Sequence, residues 1–259
     1  MKLKVRRCAA FISLMLFPIT MNYLSPYLPL DAAMNGIIAG SLLTFALLFL
    51  SAVFTGRAWC GWVCPVAGIS DICMHIQNKK ANTAKLKKIR YTVFIVWVSL
   101  IILFFVLSGG IRGFDYFYFT DTGISVDSPS RYVIYYGILA AFLVVTLKAG
   151  NRGACHGFCW MSPFLVGGMK LGGALGLPRI GIRAESASCV ECRACDRACP
   201  MGISVSHELK QGMVNSTDCI LCGECTGVCK KNVLSYGFGK GYARQPLLGR
   251  QKDNIAGKA

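Results

Sequence analysis

The eight cysteines between Cys189 and Cys229 write one pattern twice. Cys189, Cys192, Cys195 and Cys199, followed by Pro200, have the spacing C-x2-C-x2-C-x3-C, and Cys219, Cys222, Cys225 and Cys229 repeat it. This spacing wraps the backbone around three corners of a [4Fe–4S] cube, while the fourth thiolate of each run reaches across to the other cube. The pattern therefore assigns Cys189, Cys192, Cys195 and Cys229 to one cluster. Cys219, Cys222, Cys225 and Cys199 go to the second. Zinc sites usually pair two C-x2-C units or mix Cys with His, which is a different arithmetic. Lys230 stands where a Pro often follows the last Cys; Pro only sets chain direction there, so ligation does not depend on it. Two cubes crossed in this way make a small α+β ferredoxin-like unit whose use is to move single electrons.

The remainder of the chain reads as a membrane protein. Apolar residues make up 54% and charged residues only 15%, where a soluble domain carries about 25% charged residues. Four apolar stretches account for this: residues 8–28, 36–55, 91–107 and 132–147. A spanning helix needs about 17–25 apolar residues, so the second stretch suffices and the third and fourth draw on their flanks. The first starts after Lys and Arg like a signal peptide but lacks a small-residue cleavage site, so it is expected to remain as an anchor, kinked at Pro18.

Orientation follows from the loops. The two expected outer loops, 22–35 and 108–131, hold Arg112 and Arg131 against Asp31, Asp115, Asp121 and Asp127. The other 26 Lys and Arg lie elsewhere, with a cluster from Lys79 to Arg90. Positive loops stay inside, so a multi-pass protein of the inner (cytoplasmic) membrane is expected, with both termini and the ferredoxin unit in the cytoplasm. The net charge of +16 is then what topology and anionic lipid require, and nucleic acid is not a partner. Positive potential also steers acidic redox partners.

A second constellation lies at the ends of the second and fourth stretches. Cys60 and Cys64 form one C-x3-C pair, in Gly56-Arg57-Ala58-Trp59-Cys60-Gly61-Trp62-Val63-Cys64-Pro65. Cys155 and Cys159 form the other, in Gly153-Ala154-Cys155-His156-Gly157-Phe158-Cys159-Trp160-Met161-Ser162-Pro163. Two spans then a cysteine pair, repeated, would bring the pairs together on one face of a four-helix bundle. Four converging thiols serve as ligands for an additional iron–sulfur cluster, for another soft metal, or as redox-active dithiols; buried Cys is also a common inert packing residue. Cys8 and Cys73 have no partner at ligand spacing and are read as packing residues.

The G-R-x-x-C-x-x-x-C-P motif, the second C-x3-C pair after a later helix and the C-terminal two-cluster run together resemble the NapH-type family of membrane 4Fe-4S proteins. The resemblance covers residues 1 to about 236. It implies a quinol dehydrogenase component, with quinone or quinol as substrate and other redox subunits of a membrane complex as partners. It also implies that Cys60, Cys64, Cys155 and Cys159 match the family's cysteine pairs and that the eight downstream Cys match its cluster ligands. One departure is Pro163, which follows Cys159 four places on instead of directly; a broader set of related membrane 4Fe-4S proteins shares it.

Absences narrow the chemistry further. His75, His156 and His207 are the only histidines and none lies in a span, so paired transmembrane ligands for a b-type haem are missing. No C-x-x-C-H, Rossmann or P-loop fingerprint occurs. His156 is expected either to help a quinone exchange protons or to sit at the surface; the aromatics of 111–119 fit an interfacial belt. The expected architecture is α-helical and membrane-embedded: a four-helix transmembrane domain at 1–159, an interfacial connector at 160–186, a cytoplasmic two-[4Fe–4S] ferredoxin domain at 187–236 and a mobile tail at 237–259. Its function is to pass electrons between the quinone pool and a redox partner. The alternative is a maturation or assembly factor that reduces a metal or cofactor for another enzyme.

Overall fold

Prolines and glycines punctuate the apolar half. The computed structural model describes residues 2–77, 79, 81, 83–120, 123–184, 188–208 and 212–239. The side chains of Lys2 and His75 and residues 240–259 of the expected tail lie outside the described residues. Helix α1 (Lys2–Met15) stops before Leu16, and α2 (Phe17–Thr20) starts with Pro18 in its first turn. Pro is tolerated there, but its ring and missing N–H prevent α1 from running on. A 3-10 turn at Asn22–Leu24, α3 (Tyr27–Met34) and strand β1 (Ile37–Ala39) follow. The first apolar stretch is thus several short pieces, not one kinked helix.

Helix α4 (Gly40–Thr55) closes on Gly56, whose φ of +59° suits glycine. Then come α5 (Ala58–Trp62) and α6 (Pro65–Ile76), the latter with Pro at its start. Helix α7 (Thr83–Leu107) leads to strand β2 (Gly113–Asp115), which pairs in parallel with β1, Ile37 opposite Gly113. Helix α8 (Pro129–Ala149) leads to α9 (Gly153–Gly157) and α10 (Met161–Ala174). Of the four apolar stretches, α7 and α8 are the two helices long and apolar enough to cross a membrane among the described residues. Their faces favour a lipid surround over a protein core: Ile95, Ile102 and Val106 on α7, and Val133, Ile134 and Tyr136 on α8, are each more than half exposed.

The two halves of this region repeat. In each, a long helix (α4, α8) leads to a five-residue helix carrying the first cysteine of a pair (α5, α9) and then to a helix beginning just after the second (α6, α10). Packing is reciprocal, with α10 along α4 and α6 against α8, and this exchange draws the two cysteine pairs to the middle. Phe164 of α10 stacks on Phe45 of α4 at 5.5 Å and meets Phe94 of α7 edge-on at 5.1 Å, with Trp97 completing the core. Buried indole N–H groups need acceptors: Trp97 donates to the Pro26 carbonyl at 2.7 Å and Trp160 to that of Leu24 at 3.0 Å.

Residues 160–186, expected as a connector at the interface, are structured throughout their described part except for a short link. They form α10 and strand β3 (Arg179–Ala184). Strand β3 pairs antiparallel with β4 (Leu234–Gly239), Arg179 opposite Gly239 and Ala184 opposite Leu234. The two strands enclose the small helices α11 (Ala194–Ala198), α12 (Val205–Glu208) and α13 (Glu224–Gly227). The unit carrying the eight-cysteine run therefore starts before residue 187 and ends after 236.

Close approach of α10 to α4 depends on glycine, since small residues let helix backbones meet. A Cβ at Gly168 would strike the Phe49 carbonyl oxygen, whereas at Gly167 it would meet only the edge of the Phe49 ring at 3.0 Å. Gly168→Ala is expected to lower stability by about 1–3 kcal/mol and Gly167→Ala by clearly less, because a ring can turn and a carbonyl in a helix cannot. Thermal melts of the two variants in detergent check this, and equal losses would refute it.

Candidate electron-transfer site

The doubled cysteine run becomes a doubled backbone. The residues before and after the second Cys of each run are left-handed: Glu191 and Arg193 in the first (φ +51° and +54°), Leu221 and Gly223 in the second (+53° and +77°). Three residues past the last Cys the match recurs, with Gly202 at +67° and Asn232 at +51°. Four of these six are not glycine, and left-handed backbone at such residues persists where a loop is wrapped around something it must hold. Cys199 of the first run lines the same small cavity as Cys219, Cys222 and Cys225 of the second. Thiols arranged this way, in loops wound alike, suit a pair of four-iron cubes.

Cys60, Cys64, Cys155 and Cys159 also meet, lining one cavity of about 460 Å³. Its walls are mainly apolar: Phe17, Met21, Leu28, Ile134, Ile138 and Phe142 are among them, and Tyr27, Phe119 and Arg131 lie along it too. Burial, opposed by Arg57, pushes the Cys60 thiol above its usual value; it pushes Cys64 further, with the neighbouring cysteines adding to it. A bound metal reverses such shifts by stabilising the thiolate. Among the described residues no three His, Cys, Asp or Glu side chains lie close enough to hold one metal ion.

Two residues here escaped the sequence reading as functional. Arg57 stands three places before Cys60 and Arg152 three places before Cys155, so the repeat is R-x2-C-x3-C. Both arginines are fully buried. Arg57 donates to the Thr217 carbonyl and pairs with Asp218 at 3.5 Å. Arg152 donates to the Cys60 carbonyl at 3.3 Å and pairs with Asp71 at 2.8 Å. Nε of each and Nη2 of Arg57 have no partner among the described residues. Buried donors left over beside four thiols fit an anionic centre, which a thiolate cluster is. The signal was the repeated Arg, legible once the two copies are aligned on their cysteines.

The cysteine pairs and the ferredoxin loop are in direct contact. Gly61 sits so close to the Ile220 carbonyl that a Cβ would collide with it, and the Trp62 indole donates to the Leu221 carbonyl at 2.9 Å. Buried ion pairs clamp the joint: Arg6 binds Asp71 at 2.9 Å and Glu224 at 2.8 Å. Asp218 takes Lys87 at 2.8 Å, with Arg57 and Arg90 each at 3.5 Å. Burial alone would raise the Asp218 carboxyl, but Lys87, Arg57 and Arg90 outweigh it and hold it at about 2. His156 is buried, not at the surface, and does not line the cavity; burial pushes its imidazole down to about 4. Cys73 is buried beside Leu14 and Ile69, whereas Cys8 is exposed and does not pack.

Helices with lipid-type faces, a doubled cluster-type loop and an apolar cavity lined in part by cysteines define a membrane-associated iron–sulfur electron-transfer protein. Residues 37–82 match a 4Fe-4S binding domain, which includes Cys60 and Cys64, and residues 188–234 match a 4Fe-4S dicluster domain, which includes all eight downstream ligand candidates. A methylamine utilization ferredoxin-type protein, MauN of Methylorubrum extorquens, is 30% identical over 81% of this chain and 72% of its own length. The ferredoxin-type protein NapH of Haemophilus influenzae is 25% identical over 71% of this chain and 63% of its own. An uncharacterized protein of Methanocaldococcus jannaschii is 26% identical over 77% and 72%. The chain belongs to the NapH-type family of ferredoxin-type membrane proteins. No solved structure matches it.

Asp218→Ala would leave Arg57 and Arg90, both buried, without their carboxylate. Removing one partner of a buried ion pair costs about 3–5 kcal/mol, so a loss of that size is expected in denaturant unfolding followed at the tryptophans. A loss below about 1 kcal/mol, the range of surface pairs, would show that the clamp is not what holds the joint.

Proposed function

We propose that this protein carries electrons between the membrane quinone pool and a redox partner, as an electron-transfer subunit of a quinol dehydrogenase or related complex. The observation that carries this reading is the cavity: an apolar space reaches the four cysteines of the paired motifs, and the ferredoxin loop at Ile220 and Leu221 packs against the Cys60–Cys64 segment. A quinone needs an apolar pocket for its ring and tail and a redox group within tunnelling reach of its head. Bound in the loops, [4Fe–4S] clusters would supply one-electron relays.

In this reading Cys189, Cys192, Cys195 and Cys229 hold one cluster, and Cys219, Cys222, Cys225 and Cys199 the other. Cys60, Cys64, Cys155 and Cys159, which line one cavity, hold a third redox centre, taken here to be an iron–sulfur cluster. Arg57 and Arg152 offset the negative charge of that centre. Trp62 and Gly61 keep the cysteine pair against the ferredoxin loop, and the ion pairs of Asp71 and Asp218 with buried arginines hold the joint together. The four apolar segments are taken to lie in the inner membrane, with both termini and the ferredoxin unit in the cytoplasm. The loop charges support that orientation. The exposed apolar faces of α7 and α8 support a lipid surround.

The test is an iron and sulfide count with EPR on anaerobically purified protein, wild type and Cys60→Ala together. About twelve iron atoms per wild-type chain and about eight in the variant are expected, as for three four-iron clusters. A wild-type count of about eight would remove the third cluster. Addition of a menaquinol analogue should reduce the EPR-visible clusters. Clusters that ignore quinol but are oxidised by a metal ion would support the maturation role instead.

A further inference from the structure

The two halves of the ferredoxin unit are copies in sequence and backbone, yet they face different surroundings. A shift of thirty residues carries the first run onto the second, so Cys192 corresponds to Cys222. Cys222 is buried and belongs to the same core as Cys60, Cys64 and Cys155. Cys192 is exposed, next to Val190 at 62% exposure. Taken by cluster, Cys222 and Cys225 are buried and Cys199 and Cys219 half-buried, while none of Cys189, Cys192, Cys195 and Cys229 is buried. One centre therefore abuts the membrane part and the other looks outward.

Charge divides along the same line. Arg193, Arg197, Lys230 and Lys231 are exposed around the outward centre. Their counterparts in the inner copy are Gly223, Gly227, Pro200 and Met201. The chain is basic throughout, but this internal comparison places four cations, two from each copy of the motif, beside the outward centre and none at the corresponding positions beside the inner one. Opposing acids are few: Glu191 is exposed, and Asp196 is taken up by the backbone N–H and hydroxyl of Ser206 at 2.7 and 2.6 Å. None of the four cations makes an ion pair among the described residues.

We propose that the Cys192 corner is the port of this protein, and that an acidic, water-soluble one-electron carrier docks on it. Val190 and Cys192 form the contact centre, and Arg193, Arg197, Lys230 and Lys231 form a cationic rim. The proposal rests on the electron-transfer reading above and adds the order of the centres: paired cysteines, then the Cys222 cluster, then the Cys192 cluster, then the partner. At the port one electron leaves the outward cluster and reduces the carrier by one electron, with no bond made or broken. At the other end one quinol, oxidised to quinone, supplies two such electrons in turn, enough for two carrier molecules, and releases two protons there. A small apolar centre ringed by charge suits a transient contact in which long-range attraction sets the encounter rate.

The test uses purified full-length protein in detergent and an acidic flavodoxin as probe, with binding measured by calorimetry at low and at physiological salt. Lys230→Glu with Lys231→Glu is expected to weaken binding by at least about tenfold at low salt, with the difference shrinking as salt screens the rim. Lys88→Glu with Lys170→Glu, the same charge change elsewhere on the exposed surface, should weaken it less than about twofold, the scale of bulk charge alone. Cluster EPR signals report whether each variant is intact. Equal weakening by both pairs, or none by the first, would overturn the port. So would loss of binding to phosphatidylglycerol vesicles in place of flavodoxin, which would make the rim a lipid contact. Failure of quinol to reduce the clusters would strike the broader reading and leave this binding result standing.

Discussion

Arg6, Arg57, Arg90 and Arg152 have at most 1% of their surface exposed, and they meet Asp71, Asp218 and Glu224 where the helical part touches the ferredoxin loop. A guanidinium out of water is costly unless paired and hydrogen-bonded. The helical part and the ferredoxin unit are thereby committed to each other. Asp218 and Glu224 come from the cysteine loops, and Arg57 and Arg152 from the R-x2-C-x3-C motifs, so the same residues that position the thiols also close the joint. Surplus cation at that joint suits the thiolate centres proposed there.

Repetition organises both parts, and its breaking gives each a direction. In the helical part the helix after each cysteine pair packs on the long helix before the other pair, so symmetry brings four thiols together at one cavity. In the ferredoxin unit the left-handed residues recur at matching places, so symmetry makes two equivalent sites. What differs is surroundings: Ile220 and Leu221 press on Gly61 and Trp62, while Val190 and Glu191 face solvent. One copy becomes inner and the other outer.

Much of the chemistry was legible before any coordinates. Cysteine spacing carries local geometry, because three thiols two residues apart wind the backbone in only a few ways. Packing was less legible. Residues 160–178 looked like a Gly-rich link at the membrane surface, because glycine and Lys170 depress an apolar run. Gly168 and Gly172 in fact let α10 lie against the Phe49 and Val53 carbonyls of α4, and close approach of that kind leaves no trace in hydropathy. Residues 8–28 misled in the opposite sense. Their composition is that of a span, but Pro18 ends the helix path and the chain turns to supply the Leu24 and Pro26 carbonyls to two tryptophans.

By itself the sequence determined the grouping of the cysteines into runs and pairs, the candidate ligands these offer, and the apolar character of α7 and α8. These are local properties, set by spacing along a few residues or by composition over twenty. The convergence of the four C-x3-C thiols was expected from the repeat, but tertiary structure alone decided that an apolar cavity adjoins them, that Arg57 and Arg152 flank them, and which ferredoxin copy abuts the helices. Those depend on segments far apart in the chain meeting in space. Two copies with the same spacing carry no mark of which will be covered until the rest of the protein packs against one of them.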